Sequence, residues 1–266
     1  MRQTNRAFLA GKPPLLFAHR GGSLSWPENT LVAFQGALAA GVDYLETDLH
    51  MTRDGVIVVF HDPHLERTTN GKGPIKSLTL SELKRLDAGY HFSPDGKEYP
   101  YRGKGLTVPT FEEALDLDAS ARFNVEIKQS DPPMVDALWR LIERRKLHDR
   151  LLVAAAVDRL VRAFRRACAG SVATSAGSNE TRLFWAASRL GLARFVPTPY
   201  DALQVPPRSG PLTVVDRRFL AAAHDRGLHV HVWTIDEAEE MRRLLALGVD
   251  GIMSDRPALL VATASP

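Results

Sequence analysis

The sequence lacks most of the features that mark secreted, membrane-spanning or metal-thiolate proteins. It contains a single cysteine, Cys168, which excludes an intramolecular disulfide and a cysteine metal cluster. No stretch approaches about 20 uninterrupted apolar residues, the length that a membrane span needs. Glycine, lysine and two prolines at positions 11–14 interrupt the apolar residues near the start, so no signal peptide is predicted. We therefore expect a cytoplasmic protein with no membrane span.

The chain also lacks a large excess of charge of either sign. The chain has 34 lysines and arginines against 31 aspartates and glutamates, a formal net charge of +3. Because no block of five or more basic residues is present, we predict no nucleic-acid partner. The small positive excess suits an anionic small molecule. A length of 266 residues with 44% hydrophobic content suits one large α/β domain or two small ones.

Short apolar segments alternate with helical patterns along most of the chain. Eight segments are predicted to be strands: 15–18, 44–48, 123–127, 151–155, 171–175, 202–206, 229–233 and 251–255. Several of the helical patterns between them end at glycine, the expected helix stop. This alternation predicts an α/β protein, and eight repeats over this length favour a (β/α)8 TIM barrel over a doubly wound sheet.

Two stretches interrupt the alternation. Residues 63–110 carry turn-rich sequence around one short helix, and residues 194–211 are rich in proline. Neither has the composition of a domain linker. We therefore predict a single domain over residues 1–266, with 63–110 as an insertion or long loop after the second strand.

The segment YLETDLHMTRDGVIVVFHD, residues 44–62, is predicted to be two strands joined by a turn at Asp54-Gly55. Side chains two apart on a strand share a face, so Glu46 and Asp48 point the same way. A turn at Asp54-Gly55 would place His61 opposite Asp48. Two like carboxylates beside an imidazole repel unless a cation lies between them. The hairpin therefore favours a metal site over an ordinary polar surface.

Other polar residues follow the predicted strands, at the end of a barrel where active sites lie. They are His19 and Arg20 after strand one, Glu126 and Lys128 at strand three, Trp233 at strand seven, and Asp255 with Arg256 at strand eight. Three carboxylates without cysteine favour Mg²⁺ or Ca²⁺ over zinc, with Mn²⁺ as a third candidate. Arginine and lysine suit a phosphate, and two histidines suit proton transfer. This set fits metal-assisted phosphoryl transfer to water.

The motifs AHRGG, PENT, YLETDLHMTRDG, VVFHD, NVEIK, VWTID and GVDGIMSDRP occur in this order between about Leu16 and Pro257. Together they resemble the glycerophosphodiester phosphodiesterase family. The resemblance implies a TIM barrel with a small insertion after the second strand. It also implies hydrolysis of glycerophosphodiesters to sn-glycerol 3-phosphate and an alcohol, with Mg²⁺ or Ca²⁺.

The resemblance assigns roles to eight residues. By position in the motifs, the acid and base are His19 and His61, the metal ligands are Glu46, Asp48 and Glu126, the phosphate-binding residues are Arg20 and Lys128, and the aromatic that flanks the substrate is Trp233. We assign His61 as the acid and His19 as the base, and the reverse assignment stays open.

Several nearby residues are interpreted as structural. Asn29 and Thr30 are predicted to begin a helix, because both residue types cap helices. The segment 255–257 is predicted to hold an ion pair and another helix start. His50 is interpreted as structural, and His229 with His231 is not expected to bind zinc.

Two other functions stay open at this stage. One is lysophospholipase D-type hydrolysis of lysophospholipids, which an apolar groove beside the site would favour. The other is a non-catalytic barrel that binds phosphodiesters. The presence of both His19 and His61 disfavours that barrel.

Overall fold

Eight short parallel strands form the centre of the fold, in a computed structural model that describes residues 6–265. The strands of the chain are β1 (Leu15–Ala18), β2 (Tyr44–Met51), β3 (Ile57–Val59), β4 (Arg122–Ile127), β5 (Leu151–Ala154), β6 (Ala173–Thr174), β7 (Ala202–Val205), β8 (Arg208–Ser209), β9 (Leu212–Thr213), β10 (His229–Val232) and β11 (Gly251–Ser254). The helices are α1 (Leu31–Ala39), α2 (Leu80–Leu83), α3 (Phe111–Leu115), α4 (Val135–Arg145), α5 (Asp158–Ala167), α6 (Ser178–Leu190), α7 (Arg217–His224), α8 (Ala238–Leu247) and α9 (Pro257–Ala264).

The parallel strands run in the spatial order β6-β5-β4-β2-β1-β11-β10-β7. A parallel bridge between Ser175 and Ala202 joins the two edge strands, β6 and β7, so the barrel is nearly closed. The sequence prediction of a (β/α)8 barrel is confirmed, and each of the eight predicted strands overlaps an observed one. Helix α3 and the short hairpin β8–β9 were not predicted, whereas only the start of α9 was.

The eight barrel strands are largely buried on both faces, as expected for a parallel sheet covered by helices, whereas β8 and β9 are exposed. The residues of β5 and β11 are all buried, for example. The helices cover the barrel with apolar stripes: α4 buries Val135, Leu138 and Ile142, which recur at helical spacing, and most of its charged residues are exposed. Burial on both faces explains why the strand segments read as continuous apolar runs.

The hairpin at β2–β3 differs in register from the sequence prediction. The Thr52 N–H donates to the Val56 carbonyl, so the loop holds three residues, 53–55, instead of two. Leu49 therefore pairs with Val59, and the Phe60 N–H donates to the Asp48 carbonyl. The prediction that His61 lies opposite Asp48 is wrong by one residue, because the longer loop shifts the pairing.

Residues 63–110 form the least regular part of the described chain. The one α-helix in this stretch, α2, begins at a capping box in which Thr79 and Glu82 bond each other's backbone N–H groups. An apolar cluster that includes Leu65, Ile75 and Leu83 packs the stretch against Val58 of β3. The single-domain boundary stays a prediction, and residues 1–5 and 266 lie outside the described residues.

The helices give no indication of a transmembrane segment. Across residues 6–265, every helix is too short or too polar to cross a membrane.

Candidate active site

The carboxyl ends of β2 and β4 bring three carboxylates together. Asp48 and Glu126 are register partners on these adjacent strands, and Glu46 precedes Asp48 by two residues on the same face. One oxygen from each side chain lies within 4.8 Å of the other two. The structure therefore brings together all three residues that were predicted to bind a metal.

Burial makes this cluster electrostatically unfavourable without a cation. Glu46 is 5% exposed and Asp48 is 1% exposed. Burial and the neighbouring Asp48 raise the pKa of Glu46 to about 7. Burial alone would raise the pKa of Asp48 too, but the nearby charges of Lys128, His61 and Arg20 lower it. The cluster thus has the charge and the oxygen ligands of a site for a hard divalent cation.

The two predicted phosphate-binding residues lie against the carboxylate cluster. Lys128 Nζ lies 2.7 Å from Oε2 of Glu126 and 3.1 Å from Oδ1 of Asp48. Arg20 Nε lies 3.5 Å from Oδ2 of Asp48, and the Arg20 backbone N–H donates to Oε2 of Glu46 at 3.1 Å. The predicted cations and the predicted metal ligands therefore belong to one site.

Glycines explain how Arg20 reaches this site. After β1 the chain makes a tight 3-10 turn over His19–Gly21. Gly21 has a φ of 79°, and a Cβ at this position would lie 2.7 Å from the Cβ of Ala33 in α1. Only glycine fits this backbone and this close approach. The HRGG motif thus turns the chain sharply enough for His19 and Arg20 to face the carboxylates.

His19 is held by a carboxylate from the last strand of the barrel. Its Nδ1 lies 2.7 Å from Oδ1 of Asp255, and its Nε2 lies 3.8 Å from Oε2 of Glu46. Burial lowers the pKa of His19, but the hydrogen bond to Asp255 and the charge of Glu46 outweigh it, so the pKa is raised. The predicted helix start is present, with Pro257 as the first residue of α9, whereas the ionic partner of Asp255 is His19.

His61 is also paired with a carboxylate, the one that follows it in the chain. His61 Nδ1 lies 2.5 Å from Oδ1 of Asp62, and Arg67 Nε donates to the other Asp62 oxygen at 2.5 Å. Burial alone would raise the pKa of Asp62, but the hydrogen bonds from Arg67 and His61 lower it to about 2. Asp62 therefore stays ionised and fixes the orientation of the His61 ring.

A chain of ion pairs connects His61 to the other side of the site. Arg67 donates two hydrogen bonds of 2.7 Å to the carboxylate of Glu28. Glu28 in turn accepts from Arg20 Nη1 at 3.1 Å. The network joins the segment 63–110 to the loop after β1. The predicted site did not include Asp62, Arg67 or Glu28, although Asp62 is adjacent to His61 in the FHD motif.

Asn29 holds one of the predicted metal ligands. It is 3% exposed, its Nδ2 donates to Oδ2 of Asp48 at 3.0 Å, and its Oδ1 accepts from the Thr47 hydroxyl at 2.7 Å. Thr30 caps α1 by accepting from the Ala33 N–H, as predicted. Both residues were predicted to begin a helix, but Asn29 contacts the site.

The remaining histidines lie outside the carboxylate cluster. His50 is buried, and its Nε2 lies 3.1 Å from the His61 carbonyl oxygen. His231 is fully buried, which lowers its pKa to about 3. Among residues 6–265, the potential metal ligands that converge are Glu46, Asp48 and Glu126, and neither His229 nor His231 belongs to that group.

A groove of about 600 Å³ opens beside the cluster. We call this the β5–β7 groove. Its wall comprises Glu126, residues 154–156, 175, 176, 178, 181, 182, 185, 186, 204–206, 209, 212 and 214, and Trp233. Glu126 at one edge connects the groove to the carboxylates, and Trp233 is 42% exposed there. The predicted substrate aromatic therefore lies in a cavity that reaches the site.

Comparison with known proteins agrees with this geometry. The model of the glycerophosphoryl diester phosphodiesterase family matches residues 19–259. A glycerophosphodiester phosphodiesterase from Caldanaerobacter subterraneus subsp. tengcongensis is 31% identical over 254 residues, covering 93% of this chain and 96% of that protein.

Two solved structures are similar to the whole barrel. One is the glycerophosphoryl diester phosphodiesterase domain of an uncharacterized Mycobacterium tuberculosis protein, with a TM-score of 0.84 and 24% identity over 95% of this chain and 98% of that one. The other is an Oleispira antarctica phosphodiesterase in complex with the product sn-glycerol-3-phosphate, with a TM-score of 0.75 and 26% identity over 94% and 96% of the two chains.

The fold and the match over residues 19–259 define a TIM-barrel hydrolase of phosphoric diesters. The chain belongs to the glycerophosphoryl diester phosphodiesterase family.

Proposed function

We propose that this enzyme uses a divalent cation to hydrolyse glycerophosphodiesters to sn-glycerol 3-phosphate and an alcohol. One observation carries the proposal: three converging carboxylates lie against Arg20 and Lys128, between two histidines that are each paired with an aspartate. Metal ligands, phosphate-binding cations and proton-transfer groups are thus present at one end of one barrel.

The cluster fits a hard cation in its ligand type and in its charge. Glu46, Asp48 and Glu126 offer oxygen ligands, which Mg²⁺, Ca²⁺ and Mn²⁺ prefer. With a divalent cation held by these residues, the cluster together with Arg20 and Lys128 would carry about one net positive charge, which matches the single negative charge of a phosphodiester. When bound, such a cation would neutralise charge on the phosphate oxygens.

The two histidines divide the proton transfers. We propose that His19 takes the proton from the attacking water, because Asp255 orients its ring and stabilises the imidazolium that forms. His61, held by Asp62, gives a proton to the departing alkoxide. Arg20 and Lys128 bind the phosphate, and Trp233 flanks the substrate at the edge of the groove.

The substrate class is supported by the relatives. The Oleispira antarctica phosphodiesterase was solved with sn-glycerol-3-phosphate, the product expected here. The names of the matched relatives do not favour lysophospholipase D-type action or a non-catalytic barrel. A cytoplasmic location and a role in lipid and glycerol metabolism are part of the same proposal.

Metal removal tests the proposal. Exhaustive chelation should abolish the release of sn-glycerol 3-phosphate from glycerophosphodiesters, and Mg²⁺, Ca²⁺ or Mn²⁺ should restore it. A Glu126→Gln variant should need more metal for half-maximal activity, because one ligand has lost its charge. Full activity after chelation would contradict the role of the carboxylates.

A further inference from the structure

The β5–β7 groove is larger than glycerol requires. Its volume of about 600 Å³ lies within the range of pockets that enclose a drug-sized ligand. Alanine, valine, leucine and tryptophan side chains form much of its wall, and Glu126 joins it to the carboxylate cluster. A diester whose phosphate lies at the cluster can therefore extend one of its two alcohols into this groove.

The wall of the groove has a charge asymmetry. Apart from Glu126, which faces the cluster, its charged residue is Arg182 on α6. The neighbouring carboxylates are engaged elsewhere: Glu180 accepts from Arg165 at 2.7 and 2.8 Å, and Asp158 accepts the Asn179 N–H at 3.0 Å. Within residues 6–265, the groove thus offers a cationic ligand no carboxylate besides Glu126.

The aromatic residues of the groove do not replace the missing carboxylates as a binding site for a cation. Tryptophan faces attract quaternary ammonium groups, as do aromatic cages. The Arg189 guanidinium, however, already lies 4.8 Å from the ring centroid of Trp185. The second tryptophan, Trp233, is 42% exposed, and a cation gains less from an aromatic face at an exposed site than at a desolvated one. A positively charged alcohol in the groove would meet arginine, not an aromatic cage.

We propose that the β5–β7 groove holds the departing alcohol, and that Arg182 makes it disfavour cationic alcohols such as choline. This inference rests on the proposed hydrolase function and adds a specificity residue to it. The glycerol half stays at the cluster, because its hydroxyls need polar partners that the largely apolar groove supplies poorly. The preferred substrates are glycerophosphodiesters whose departing alcohol is neutral or anionic.

A matched pair of substrates isolates the charge. Glycerophosphocholine and its 3,3-dimethylbutyl analogue have nearly the same shape. They differ in charge, because a carbon atom in the analogue replaces the ammonium nitrogen of choline. Choline is also the better leaving group. For each variant, kcat/KM for the choline ester is therefore divided by kcat/KM for the neutral ester. The comparison is between the values of this ratio in different variants. Leaving-group reactivity cancels in that comparison.

The Arg182→Glu variant should raise this ratio about tenfold, which corresponds to about 1.4 kcal/mol, and Arg182→Gln should raise it less. Arg182 is exposed, and its side chain donates to Asn179 Oδ1 at 3.2 Å on the helix surface, so both variants should fold. Arg194→Glu makes the same charge change at an exposed residue outside the groove wall and should leave the ratio unchanged.

The outcomes separate this inference from the function on which it rests. An unchanged ratio in Arg182→Glu, or an equal change in Arg194→Glu, would overturn the assignment of Arg182 while leaving the hydrolase function intact. If the wild-type enzyme released sn-glycerol 3-phosphate from neither ester, the proposed function would fail first, and the groove assignment with it.

Discussion

His19 Nδ1 lies 2.7 Å from Oδ1 of Asp255, although 236 positions separate the two residues in the chain. The barrel makes this contact because β1 and β11 are adjacent parallel strands, with Ala18 paired to Ser254. Each of the two residues directly follows its strand. Barrel closure therefore brings a carboxylate to the histidine that we propose as the base.

Replacing Asp255 with asparagine should lower turnover about 10²-fold, because His19 loses the carboxylate that orients its ring and stabilises the imidazolium. Since Asp255 raises the pKa of His19, the acidic limb of the pH–rate profile should also move to lower pH. Asp250→Asn is the control, because it removes a similar contact to His224, 2.9 Å long, from an exposed histidine outside the cluster. Equal losses of turnover in the two variants, with no shift of the acidic limb in Asp255→Asn, would contradict a specific role of Asp255 at His19.

Substitution of the histidines should separate acid from base. His19→Ala and His61→Ala should each lower turnover by about 10²–10⁴-fold with little change in Tm. If His61 is the acid, His61→Ala should lose the least turnover on substrates with good leaving groups, because a phenolate needs less protonation than an alkoxide. A leaving-group dependence that appears in His19→Ala instead would reverse the two roles.

Asn29 and Thr30 are adjacent, and their variants should behave differently. Asn29→Ala removes the side chain that holds Asp48, so metal affinity should fall about 10–100-fold. Thr30→Ala removes the cap of α1, so it should lower the free energy of unfolding by about 1 kcal/mol without a change in metal affinity. Calorimetric metal titration and urea unfolding measure the two quantities. Unchanged metal affinity in Asn29→Ala would contradict the positioning role.

The ion pair at the start of α6 should make stability depend on pH. Burial alone would raise the pKa of Glu180, but hydrogen bonds from Arg165 and the Gly177 N–H lower it to about 2. A lowered carboxylate pKa stabilises the folded state above the unfolded pKa, and this stabilisation is lost as the pH falls toward 2. Glu180→Gln should therefore lower the free energy of unfolding by about 1–3 kcal/mol above pH 5, and by less at pH 3.

The control for this effect is Glu240→Gln on the exposed face of α8. Glu240 pairs with Arg243 in a surface contact, and loss of such a pair costs no more than about 1 kcal/mol. Urea unfolding of both variants between pH 3 and pH 7 makes the comparison. If Glu180→Gln lowers the free energy of unfolding by the same amount at every pH, the ion pair is excluded as the cause.

The sequence predicted the barrel because strands buried on both faces read as distinct apolar runs separated by helical patterns. The predicted site residues converge for a related reason: the end of each parallel strand lies at the same rim. The register of the β2–β3 hairpin was wrong because an Asp-Gly pair fits both a two-residue and a three-residue loop.

The partners of the site residues were harder to predict. Asp255, Asn29 and the Glu28–Arg67 pair act through contacts between segments far apart in the chain, and their residue types also suit helix starts and surface ion pairs. Sequence spacing carries no information about such contacts. Only the folded barrel distinguishes Asn29, which contacts Asp48, from its neighbour Thr30, which caps α1.

The products formed from glycerophosphocholine show which of the two ester bonds the enzyme breaks. Because the glycerol phosphate half is proposed to lie at Arg20, Lys128 and the carboxylates, the bond to the other alcohol should break. Coupled assays with glycerol-3-phosphate dehydrogenase and choline oxidase should report sn-glycerol 3-phosphate and choline in equal amounts, and neither product after metal removal. Formation of phosphocholine and glycerol would contradict this placement of the substrate, even if the metal and both histidines were essential.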